Sequence, residues 1–331
     1  MIQDITIPIT APRVPAFAES MMPERAQTFG EGLWELLTEA TEVLNPSLAE
    51  AASVCLSLIA VVLLVSIVGQ IGYRDRTTQL VGAVAISLIL LQNTGAMINL
   101  GQDTIRELSS YGKLLMGVMA SALAAQGGVT ASTALYAGTA VFNTVLTSLL
   151  TGILVPLLYM YLAMAIAQSA LGEMMLKKLC GLIKWGCIWI LKIVLYVFTG
   201  YIGITGVVSG STDAAALKVA KLTISGMVPV VGGIMSDASE AVLVSAGVVR
   251  NAAGIYGILA LLAIVAGPFL KIGSHYILLK VTGAVSGLFG SKTCSELISD
   301  VSGAMGLLLA MTGSVCLLLL ISMVCFLRGV E

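Results

Sequence analysis

Long apolar blocks separated by short polar stretches set the character of this chain. Val54 to Val68, Leu80 to Leu91, Ala131 to Leu171, Ile188 to Val208, Ala252 to Phe269 and Ala304 to Phe326 carry a single charge between them, Lys192. The longer blocks reach the ~20 residues with which a helix crosses a bilayer. The pattern therefore predicts an all-α fold, a polytopic integral membrane helical bundle of about seven to nine spans occupying residues 48–331.

Read along the chain, a first span runs over about Leu48 to Gln70 and a second over about Leu80 to Leu100. A mixed-charge loop with Asp103, Arg106, Glu107 and Lys113 follows. A third span is expected over about Lys113 to Gln126. A fourth and fifth divide Ala131 to Leu171, broken near Gly152 and Pro156, and a sixth covers about Gly186 to Val208. Ala252 to Phe269 spans again, Lys271 to Gly290 spans or lies in the interface, and the last run ends at Arg328. Arg74 and Arg76 after the first span, then Lys177, Lys178 and Lys184, place those loops inside and the N-terminus outside the cytoplasm.

Residues 1–47 differ from the rest and read as an acidic extracytoplasmic segment. Asp4, Glu19, Glu24, Glu31, Glu35, Glu39 and Glu42 stand against Arg13 and Arg25, and Pro8, Pro12, Pro15 and Pro23 keep the start extended. Thr28 with Glu31 is a capping-box signal. Phe29, Leu33, Leu36, Leu37, Ala40, Val43 and Leu44 then share one helical face opposite the glutamates, and Pro46 is expected to end the run. Such an amphipathic helix lies on a membrane or on a partner; the acidic face favours a partner, because anionic lipid repels it. No basic region followed by an apolar one marks an intact signal peptide.

The stretch 213–250 does not read as a plain span. Pro229, Gly232 and Gly233 interrupt an apolar run that lies between Lys218 and Lys221 on one side and Asp237 and Glu240 on the other. Irregular backbone survives at membrane depth only where protein or a water-filled cavity surrounds it, so a broken or re-entrant helical hairpin is expected. Its arms bring Asp213, Lys218, Lys221, Asp237, Glu240 and Arg250 close enough to line a polar pathway. Two plainer readings stand beside this one: Asp237 and Glu240 as a helix cap, Lys218 and Lys221 as snorkelling side chains. Gln92, Asn93, Asn99 and Asn143 are intramembrane polar residues suited to interhelical hydrogen bonds or, alternatively, to a hydrophilic path.

Composition narrows the function classes. The 331 residues are 58% apolar and 11% charged, against ~25% charged in soluble domains. A formal net charge of −1 offers no basic stripe for nucleic acid. One histidine and no clustered ligand set give no metal site and no cofactor. Cys55, Cys180, Cys187, Cys294, Cys316 and Cys325 form no C-x-x-C pair and read as small hydrophobes. No nucleophile motif, P-loop or H-E-x-x-H is present, so an enzyme is not expected.

The hairpin wording is the most specific feature. Lys218-Val219-Ala220-Lys221, Ser225-Gly226-Met227-Val228-Pro229-Val230-Val231-Gly232-Gly233, Ser236-Asp237-Ala238, Ser245-Ala246 and Arg250-Asn251, with the preceding Gly206-Val207-Val208-Ser209-Gly210, resemble the stage III sporulation protein AE family of endospore-forming Firmicutes. The resemblance covers most of residues 50–327. It implies a multi-pass protein of the mother-cell membrane around the forespore, within a trans-envelope channel or feeding-tube complex. Implied partners are other stage III A proteins, including ring-forming proteins and a secretion-type ATPase, a forespore-side protein and membrane lipid. The family carries no catalytic residues to transfer, and its usual signal-like apolar start is not seen in residues 1–20. Two roles follow: a channel- or permease-like subunit that sustains forespore development, alone or as a homo-oligomer, or a non-conducting scaffold that anchors the ring and ATPase proteins.

Overall fold

The computed structural model describes residues 12–23, 29–70, 76–125, 129–208, 252–289 and 292–328. Among them there is no strand. A short helix α1 (Ala16–Glu19) precedes α2 (Phe29–Gln70), α3 (Arg76–Ala125), α4 (Val129–Leu149), α5 (Val155–Leu171), α6 (Met174–Val208), α7 (Ala252–Leu288) and α8 (Lys292–Arg328). Among the described residues six helical stretches are long and apolar enough to cross a membrane, with α4 and α5 joined as one of them. The all-α membrane bundle expected from the sequence is the fold observed.

Among the described residues, several helices run longer than the charge pattern suggested. Pro46 does not end α2, which runs 42 residues through it. The reason is a buried stripe, Phe29, Leu36, Ala40, Ser47, Ala51, Val54 and Leu58, that continues at helical spacing across the proline. Pro46 itself faces outward. The loop expected at 101–113 is also helix, because Ile98, Ile105, Leu108 and Leu115 keep one face buried while Asp103, Arg106 and Glu107 occupy the opposite one. At 50 residues, α3 is about 75 Å long, more than twice the hydrocarbon thickness.

Gly152 and Pro156 do not divide Ala131–Leu171 into two spans. A π turn over Leu150–Leu154 joins α4 to α5, and Pro156 sits in the first turn of α5. The wider turn moves the proline ring off the carbonyl one turn back, so the axis continues. Lys271 likewise lies inside α7, which passes through Pro268. The clean stop is Gly172. Its φ of 73° is left-handed, and its N–H closes α5 on the Gln168 carbonyl at 2.8 Å.

Close approaches fix the register. A Cβ on Gly101 would lie 2.6 Å from Leu308, and one on Gly112 would strike Leu319, so α3 and α8 run parallel with their backbones in near contact. Gly257 meets Met323 while Gly306 meets Tyr276, which makes α7 and α8 antiparallel. Ser295 and Ser302 tie that pair with hydrogen bonds to the carbonyls of Gly283 and Tyr276. α2 runs parallel to α7, joined by Ser66 to the Phe289 carbonyl at 2.8 Å and by Glu50 to Lys271. The centre of the core is α8, whose Leu308, Met311, Leu318, Leu319 and Met323 are all buried. None of the six cysteines forms a disulfide.

Candidate functional site

A cleft of about 490 Å³ opens where α1, α2, α3 and α7 meet. Phe17, Val43, Leu100 and Pro268 form its apolar wall, and Asp103, Arg106, Glu107 and Lys271 its charged one. Periodicity places the charges: 103, 106 and 107 are one face of α3. Arg106 pairs with Asp103 at 3.3 Å, and Lys271 reaches across to Glu50 on α2 at 2.7 Å. Thr104 donates to the Leu100 carbonyl one turn back and so turns no free hydroxyl to the space. No described cation pairs with the exposed Glu107. The arrangement can hold a polar or charged solute against an apolar wall; it contains no nucleophile–base pair and no group of three metal-ligating side chains among the described residues.

A second set of charges lies where α5, α6 and α8 converge. The Tyr161 hydroxyl donates to the Asp300 main-chain carbonyl at 3.1 Å and lies 3.4 Å from its carboxylate. Lys177 pairs with Glu296 at 3.0 Å. Gly303 leaves the gap through which Tyr161 and the Lys184 ammonium approach α8, each 3.2 Å from where a Cβ would be. These groups satisfy one another and read as a joint between helices.

Between α3 and α4 the polar groups are less well served. Asn143 donates to the Ser109 carbonyl at 3.2 Å, but its Oδ1 is buried without a partner among the described residues, as are the hydroxyls of Thr139 and Thr147. The three are spaced four apart on one face of α4. Thr151, Thr199, Thr282 and Thr312 instead return their hydroxyls to their own helix.

Of the intramembrane polar residues singled out from the sequence, only Asn143 reaches another helix. Asn93 donates to the Ile89 carbonyl of its own helix, and Gln92 and Asn99 face outward. The hairpin set, Asp213, Lys218, Lys221, Pro229, Gly232, Gly233, Asp237, Glu240 and Arg250, lies outside the described residues. The residues that flank it, Val208 and Ala252, sit at the same end of the bundle. Tyr201 joins α6 to the Ala134 carbonyl near the start of α4, and Gly254 meets Leu327 near the end of α8. The cleft was missed because its charges were read as a loop; the i, i+3, i+4 spacing of 103, 106 and 107 was the available signal.

The fold and its charge-lined cleft define a polytopic α-helical membrane protein. A family model, stage III sporulation protein AE, matches residues 33–328. The chain belongs to that family. It is 24% identical over 237 residues to stage III sporulation protein AE of Bacillus subtilis (strain 168), an alignment covering 70% of this chain and 59% of that protein. No solved structure matches it.

Proposed function

We propose that this chain is a channel- or permease-like, non-enzymatic subunit of the complex joining mother cell to forespore. It sits in the mother-cell membrane with its N-terminus outside the cytoplasm. The observation that carries the reading is the cleft of about 490 Å³ between helices of the bundle, which sets two ion pairs and Glu107 against an apolar wall. A packed structural joint has no use for such a volume, whereas ligand sites have this size and mixed lining. Orientation is supported by Lys177, Lys178 and Lys292, which gather at one end of the bundle, while the acidic start of α2 lies at the other. The re-entrant hairpin over 213–250 is supported by its flanks, which share one end. Partners are other stage III A proteins, among them ring-forming proteins and the secretion-type ATPase, and a forespore-side protein.

The scaffold reading has its own support. Glu35, Glu39 and Glu42 are exposed on α2 beside Trp34, which is 73% exposed, and such a face suits a protein partner. Leu100→Trp separates the two readings by filling the cleft and leaving that face alone. The expected outcome is loss of forespore support at normal membrane level and normal partner recruitment. Normal sporulation would instead favour the scaffold, and Asp237→Asn with Glu240→Gln tests the hairpin pathway in the same assay.

A further inference from the structure

We propose that the cleft between α2, α3 and α7 binds a small organic monocation, an ammonium or guanidinium group on a short apolar body. The inference rests on the permease-like reading for its physiological meaning, and on the charges of the cleft for its chemistry. Both cations at the site are already matched. Arg106 is held by Asp103 at 3.3 Å and Lys271 by Glu50 at 2.7 Å. An incoming anion meets cations whose charge those carboxylates already offset. An incoming cation displaces nothing, because Glu107 has no cationic partner among the described residues.

The remaining wall specifies the body of the ligand. Val43, Leu100 and Pro268 offer aliphatic contact, and Phe17, half exposed, adds an aromatic face suited to a cation. Gly267 carries no side chain into the space, and the nearest side chain to its missing Cβ is Met21 at 3.5 Å. A cleft of about 490 Å³ admits a molecule of one ring and a short chain. The three-residue and four-residue steps from Asp103 to Arg106 and Glu107 keep the pair and the free carboxylate on one rigid helix face, so selectivity is built in before the ligand arrives.

Three probes of one shape test this: phenethylammonium, phenethyl alcohol and phenylacetate, titrated calorimetrically into the full chain in lipid nanodiscs. Saturable binding of the ammonium is expected, with no binding of the acetate. Glu107→Gln is expected to weaken it at least tenfold and Glu107→Asp to restore most of it. Leu100→Trp should abolish it, with thermal midpoints confirming that each variant is folded. Equal or tighter binding of phenylacetate, or ammonium binding untouched by Glu107→Gln and Leu100→Trp, overturns the proposal. The two readings fail separately. If Leu100→Trp stops sporulation but no ammonium binds, the ligand class is wrong and the permease-like role stands. If ammonium binds and Leu100→Trp sporulates normally, the site is real and that role falls.

Discussion

α2 and α8 contain the two most apolar stretches among the described helices, yet 83% of that stretch in α8 is buried by its neighbours and only 22% of that in α2. Hydropathy assigns both to a membrane and cannot separate them, because lipid tails are as apolar as leucine and do not drive helices together. What separates them is the fit of small residues to large ones. α8 receives Gly101, Gly112 and Gly257 of its neighbours, whereas α2 receives Gly82 at Val65 and turns Leu56, Leu63, Leu64 and Ile67 outward.

Six substitutions break or sharpen that contrast, read as unfolding midpoints in mixed micelles. The largest effect is expected for Leu308→Ala on α8, about 2–5 kcal/mol from the cavity between α8 and α3. Leu64→Ala on α2 should change stability by less than about 0.5 kcal/mol. Equal losses at the two sites would mean that α2 is covered as fully as α8. Next comes Gly112→Val, which drives a side chain into Leu319 and is expected to cost about 1–3 kcal/mol. Gly117→Val, five residues on, meets nothing within 4 Å and should cost a few tenths at most. Tyr161→Phe removes one bond to Asp300 and should cost about 0.5–1.5 kcal/mol. The smallest effect belongs to Lys177→Ala, about 0–1 kcal/mol, shrinking with added salt because Lys177 and Glu296 are partly exposed. A large, salt-insensitive loss there would show that the joint between α6 and α8 carries the bundle.

The existence of the membrane helices was legible in the apolar blocks, and their continuity was not. Pro46 and Pro156 read locally as breaks, and each is absorbed because tertiary packing holds the turn on either side. The charges at 103, 106 and 107 were visible, but their alignment with Lys271 and Glu50 required the parallel course of α2 and α7, which no local pattern encodes. Asn143 could be picked out as polar in an apolar run. Its spacing of four from Thr139 and Thr147 was equally readable, whereas the lack of a partner for their hydroxyls and for its Oδ1 among the described residues is a property of the packed seam alone.

The two glycines of α3 that touch α8 stand eleven residues apart, and so do the leucines they receive, Leu308 and Leu319. Eleven residues make just over three turns of an α-helix, so the two notches face nearly the same way and engage with little coiling of one axis about the other. They act as a key cut at two depths: sliding α3 by one turn would set both leucines against side chains instead of gaps. α3 and α8 are thereby locked as one stationary post. Any working stroke of the molecule is expected to fall to the helices around it, at the π turn before α5 and along the loosely covered α2.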